Sequence, residues 1–225
     1  MRRSFILGLL GLALGFHLQA QKVYHLDSTY YSVQPVPQLA VHWLASQHLG
    51  RFSAHMFSIE HRIADRINLE HGIGVIYNRN VIEDDEIYFN RKRGFKSSTK
   101  IKFYHKSDRS FQPFYGLEAF FNHRNYERTR TFELSCGADC TFFESRTYNI
   151  ENNSLGLRIN AGLISPISSR FYLEMEAGMG IQQSNLTSSG KPHEFIRRFG
   201  RLFAEDETLT NYALNLNIKL AYLIK

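Results

Sequence analysis

Hydrophobic and polar positions alternate with a period of two along most of this chain. In residues 211–225, Tyr212, Leu214, Leu216, Ile218, Leu220, Tyr222 and Ile224 share one parity; Asn211, Ala213, Asn215, Asn217, Lys219 and Ala221 share the other. Side chains of a strand point alternately to its two faces, so this segment predicts a strand with one apolar and one polar face. The aromatics stand near both ends of the apolar face. So long an alternation fits a strand with lipid on one side and a polar lumen on the other.

The pattern recurs upstream. Phe171, Leu173, Met175, Ala177, Met179 and Ile181 oppose Tyr172, Glu174, Glu176, Gly178, Gly180 and Gln182. Leu155, Leu157, Ile159, Ala161 and Leu163 oppose Gly156, Arg158, Asn160 and Gly162. Further runs are Tyr115 to Asn122, Thr99 to Tyr104, Ile67 to Asn78 and Phe57 to Arg62, and residues 37–46 supply the first strand. Short connections fall near 64–66, 106–111 and 165–170, and long ones near 79–96, 125–147 and 184–209. Alternately short and long connections are those of a barrel with tight periplasmic turns and long external loops. The expected fold is therefore all-β: a single antiparallel up-and-down transmembrane β-barrel of about eight strands. The alternative is a secreted, lipocalin-like soluble carrier with the apolar parity turned inward.

The polar parity decides what fills the barrel. It carries the acids Glu60, Glu70, Glu118, Glu174 and Glu176 and the bases Arg62, Lys100, Lys102, Arg158 and Lys219. An eight-stranded barrel is just wide enough for its own side chains, and buried charges must pair or cost several kcal/mol each. A salt-bridged, filled lumen is expected, with a narrow channel through these charges as the alternative.

Composition adds the compartment. Arg2 and Arg3, the apolar stretch Phe5 to Phe16 and Leu18-Gln19-Ala20 read as a cleaved signal peptide over 1–20. An uncleaved anchor is disfavoured, because the stretch is shorter than the ~20 residues of a spanning helix. Residues 21–36 are then a periplasmic extension and 37–225 the barrel, in the bacterial outer membrane. A mean hydropathy of -0.32 suits a barrel, where only alternate strand residues meet lipid. The formal net charge of +6 includes both signal arginines and gives no reason to expect nucleic acid as a partner. Cys136 and Cys140 are the two cysteines. In an exported chain they predict a disulfide at a loop tip; half of a zinc site would need two further ligands at suitable spacing.

The remaining candidates sit in the expected loops. Glu83-Asp84-Asp85-Glu86 is a solvated acidic cluster or a divalent-cation site, without the spacing of a calcium loop. Arg91-Lys92-Arg93-Gly94-Phe95-Lys96 is a soluble basic stretch or a contact for lipopolysaccharide phosphates. Phe195, Phe199, Leu202 and Phe203 fit one helical face, opposite arginines, for a membrane surface or a protein partner. His55 and Ser58 fall on different faces of one strand, which argues against a Ser–His lipid-modifying site. No catalytic, cofactor or metal site is expected, and the expectation is a non-enzyme.

Phe57-Ser58-Ile59-Glu60-His61-Arg62, then Ile67-Asn68-Leu69-Glu70-His71-Gly72-Ile73-Gly74, then the closing Leu216-Asn217-Ile218-Lys219-Leu220-Ala221-Tyr222 resemble the small outer-membrane β-barrel proteins of Bacteroidota. That family is of unknown function, and a resemblance to it implies fold and location but no enzyme activity. The expected role is an envelope-structural barrel, or one that meets a protein partner through its external loops and lipopolysaccharide at its rim. A channel or a lipid-modifying enzyme would be the competing roles.

Overall fold

The computed structural model describes residues 36–49, 51–78, 87–106, 111–137, 140–189 and 208–224, with the backbone alone along 87–88, 130–137 and 140–142. The expected signal peptide lies outside the described residues, as do the extension through residue 35, the acidic cluster 83–86 and the segment 195–203.

The period-two runs form eight strands: β1 Leu39–Leu44, β2 Ala54–Ala64, β3 Ile67–Ile76, β4 Ile87–Tyr104, β5 Gln112–Gly137, β6 Cys140–Pro166, β7 Phe171–Ser189 and β8 Thr208–Leu223. Each pairs antiparallel with the next, and β1 pairs with β8 to close the barrel. A 3-10 turn at Ala45–His48 follows β1. The reversal between β2 and β3 is tight, with Arg66 in the left-handed region at φ 57°.

The strands reach further than the expected loops allowed. Arg91 to Lys96 belongs to β4, with an irregularity between Asn90 and Arg93 and Arg91 at φ 48°. Most of 125–147 is likewise strand. The β5–β6 ladder continues through Ser135↔Thr141 to Gly137↔Cys140. β4 accompanies β5 only to Arg130, and β7 joins β6 only from Asn149, so the β5–β6 hairpin runs on as a two-stranded ribbon. Charged and polar residues interrupt the apolar alternation along it, which reads as loop, but Thr129, Thr131, Phe132, Thr141, Phe143 and Thr147 are strand formers.

The barrel is apolar outside and charged inside. Leu214 is 78% exposed and Ile159 67%, whereas Glu60, Lys102, Glu174 and Lys219 are fully buried. A lipocalin-like carrier would have the opposite distribution. Inside, Tyr104, Phe114, Ile164 and Tyr172 pack with Ala40 and Ala221 at the end that carries the short turns. The charges fill the middle. Tyr126, Tyr148 and Ile150, with Phe52, Phe89 and Leu186, form a second apolar cluster toward the far end. Two glycines make room for interior rings in register across β5 and β6, Gly162 opposite Phe114 and Gly156 opposite Phe120. A Cβ at either would meet the ring Cζ at 2.5 Å.

The exterior assignment is testable. Ile159 lies in the middle of the outward row of β6, and Ile159→Arg should cost about 2–4 kcal/mol, the range for arginine at the midplane of a lipid-facing strand. Reversible urea unfolding in lipid vesicles measures it; a change within about 0.5 kcal/mol, as at ordinary exposed surface, would contradict a lipid-facing β6.

Candidate functional site

The central lumen is built from all eight strands. β1 supplies His42, β2 Glu60, β3 Glu70, β4 Lys100 and Lys102, β5 Glu118, β6 Arg158, β7 Glu174 and Glu176, and β8 Lys219. Period-two geometry points each of them inward. Strand pairing sets their heights: Lys100 stands opposite both Glu70 and Glu118, and Glu174 opposite Lys219.

Lys102 is the hub. Its Nζ lies 2.8 Å from Glu60, 2.7 Å from Glu70 and 2.8 Å from Glu174, and 4.8 Å from the centre of the Phe114 ring. Lys219 bridges Glu70 and Glu174 at 2.8 Å each and reaches Glu176 at 3.3 Å. Lys100 holds Glu176 at 2.6 Å and stands 3.9 Å from both Glu70 and Glu118. Arg158 pairs with Glu118 at 3.1 Å and covers the Phe120 ring.

Neutral donors use the remaining carboxylate oxygens. Asn68 and Tyr104 donate to Glu60, Ser58 to Glu70, Asn217 to Glu176 and Asn160 to Glu118. Charges removed from water are tolerated only with this degree of pairing and hydrogen bonding. Arg62 stands apart from the cluster. It donates to the Val36 carbonyl and makes no ion pair among the described residues.

His42 is the participant that sequence reasoning missed. It is fully buried, with Nε2 3.1 Å from Glu60 and Nδ1 3.5 Å from Glu174. It lies on the parity opposite Val41 and Trp43, so the alternation of β1 already pointed it inward. His42, Glu60 and Glu174 are spaced as a metal ion would require. However, the Lys102 ammonium sits within 2.8 Å of both carboxylates and supplies the positive charge that such a site needs.

The other candidates separate. Arg91 and Arg93 are exposed on the outer face of β4, Arg91 2.8 Å from Glu127, while Lys92 and Lys96 turn inward. His55 is exposed against Tyr77, whereas Ser58 is buried beside Glu70. The side chains of Cys136 and Cys140 lie outside the described residues; their backbones stand at the tip of the β5–β6 ribbon.

An eight-stranded barrel, apolar outside and ionic inside, is a transmembrane β-barrel of the outer-membrane type. No protein-family model matches the sequence, and no curated protein matches it. Among solved structures, the N-terminal β-barrel domain of Pseudomonas aeruginosa OprF is similar at 10% identity and a TM-score of 0.39, over 83% of this chain and 96% of that one. A major outer membrane protein from Thermus thermophilus is similar at 13% identity and a TM-score of 0.45, over 83% of this chain and 98% of that one.

Replacing the hub tests the network. Lys102→Met should leave Glu60 and Glu174 without their shared counter-charge and destabilise the barrel by about 3–5 kcal/mol, as for breaking a buried ion pair from one side. Adding Glu174→Gln should recover part of that loss. Denaturant unfolding in detergent, read from Trp43, the single tryptophan, measures both. Strictly additive losses would mean that the two residues do not interact.

Proposed function

We propose that the chain is a non-enzymatic bacterial outer-membrane barrel with a closed, salt-bridged lumen, delivered by a cleaved signal peptide. Its role is structural in the envelope, or lies in presenting its far end to a partner. One observation carries this reading: the cross-lumen bridges from Lys102 on β4 to Glu174 on β7 and from Lys219 on β8 to Glu70 on β3. They are stacked on the Tyr104–Phe114–Ile164–Tyr172 layer. An ion crossing the barrel would have to break several buried charge pairs and displace that apolar layer.

The β5–β6 ribbon supports presentation. It extends past its neighbours as paired strand, and paired backbone holds a surface in place better than a free loop. A Cys136–Cys140 disulfide would pin its tip. The exposed Arg93 on the outer face of β4 offers lipopolysaccharide phosphates a charge-assisted contact.

In planar bilayers the purified protein should give no steady conductance steps; reproducible ohmic steps would refute the closed lumen. Deleting the ribbon over 131–147 should leave the barrel folded, with its heat-dependent gel mobility intact, and should abolish partner capture or envelope protection. If both are unchanged, the presentation role is wrong.

A further inference from the structure

Among the described residues, the wall between β1 and β8 is paired along only part of its height. β1 pairs with β8 only from Ala40↔Leu223 to Leu44↔Lys219, whereas β8 continues to Thr208, paired with β7 throughout. On its other edge, residues 208–218 of β8 have no strand partner among the described residues. The 3-10 turn that replaces β1 fills only the bottom of this gap. There Ser46 accepts a hydrogen bond from the Ile218 N–H at 3.1 Å, and Gln47 donates to Asn217 at 2.9 Å. The backbone alternation then aims the N–H and C=O of Leu216, Leu214 and Tyr212 into the gap.

This open edge lies at membrane depth. The side chains of Tyr212, Leu214 and Leu216 are 88%, 78% and 68% exposed on the apolar outer surface. Irregular or unpaired backbone at that depth is tolerated only where it borders protein or a polar cavity. Such a cavity is present. It measures about 400 Å³ and lies above the ion network, and its lining includes residues 212–217 of β8 together with Gln47, Lys96, Arg124 and Arg158. A small-molecule site occupies roughly 300–1,000 Å³.

The cavity carries positive charge with unused hydrogen-bonding groups. Lys96 bonds Gln47 and the Phe52 carbonyl, and neither Lys96 nor Arg124 forms an ion pair among the described residues. Among the described residues, the Nε atoms of Arg124 and Arg158 are buried without an acceptor, Asn215 Nδ2 lacks an acceptor and Asn215 Oδ1 lacks a donor. The acids on the floor are already engaged: Glu118 with Arg158 and Asn160, Glu176 with Lys100, Lys219 and Asn217. Fixed cations and orphaned donors, bordered by residues 212–217 of β8, define the ligand by chemistry.

We propose that this cavity binds a single-chain anionic amphiphile entering through the β1–β8 gap. Its carboxylate or phosphate accepts from Lys96, Arg124 and Asn215, and its alkyl chain lies out across Leu214 and Leu216. The site sits above the closed lumen and does not depend on that lumen's being sealed.

The test uses the full chain folded in neutral maltoside micelles, with Trp43 beside the gap as reporter. Spin-labelled stearate should quench Trp43 saturably. Dodecyl phosphate should displace it, and inorganic phosphate at the same concentration should not. Lys96→Gln combined with Arg124→Gln should weaken binding at least tenfold while keeping the heat-dependent mobility; Lys96→Gln alone serves if the double variant fails to fold. Non-saturable quenching, equal binding by the variant, or equal displacement by inorganic phosphate would overturn the proposal. Bilayer conductance of the same preparation reports separately on the closed lumen.

Discussion

The structure depends on neutralising an interior that cannot be apolar. A strand between lipid and lumen has one face committed to each, so the barrel centre must be filled by the polar parity. Five carboxylates converge there, Glu60, Glu70, Glu118, Glu174 and Glu176, against Lys100, Lys102, Lys219 and Arg158. Each charge is expensive away from water, and the cost falls only when the partners stand at the right height. Register supplies that height. A slip of one residue in any strand would turn its charges toward lipid and its leucines into the lumen. The ion network is thus more than filler. It makes one strand alignment far better than its neighbours, and it ties β2, β3 and β4 to β7 and β8 across the barrel.

Much of this was legible in the sequence, because parity is a one-dimensional signal. The inward charges of β2 through β8 follow from alternation alone, and so do the outward Leu214, Ile159 and Met175. Which charge meets which partner was not legible. Lys102 reaches Glu174 across the lumen, and that contact depends on barrel tilt and diameter, which no local pattern records. Arg62 shows the limit from the other side: it has the parity of the network but lies too near the short-turn end to join it, and bonds Val36 instead. His42 has the inward parity of β1 but was passed over because the inward charges were read from acids, lysines and arginines, and a lone histidine gains its place only from Glu60 and Glu174, which other strands bring to it. The reach of β4, β5 and β6 was hidden for a related reason. Beyond the barrel body, charged and polar residues interrupt the apolar alternation, so period two fades from the hydropathy although the backbone remains extended.

The unequal strand lengths have a mechanical consequence. β5 and β6 extend far beyond the barrel body, while β1 ends early in a 3-10 turn. Closure through β1 therefore rests on the ladder from Ala40 to Leu44, supported by His42 between Glu60 and Glu174 and by Asn217 beneath the turn. The two ladders of β1, five pairs each with β2 and with β8, are the shortest of the barrel. Polar contacts of His42 with Glu60 and Glu174, and of Gln47 with Asn217, add side-chain links to these short ladders.

Above that height the wall and the contents change together. Where the ladder between β1 and β8 stops, the lumen changes from balanced charge to an excess of cations with unfilled donors. A filled core needs a closed wall, because lipid cannot solvate the edge of a sheet. A wall left open at β8 in turn needs a polar interior behind it. The cavity lined by Lys96, Arg124 and Asn215 satisfies that condition, and the ion network and the layer of Tyr104, Phe114, Ile164 and Tyr172 lie beneath it. Among the described residues, the paired lower half of the barrel is then the floor beneath the stretch of β8 that β1 does not cover.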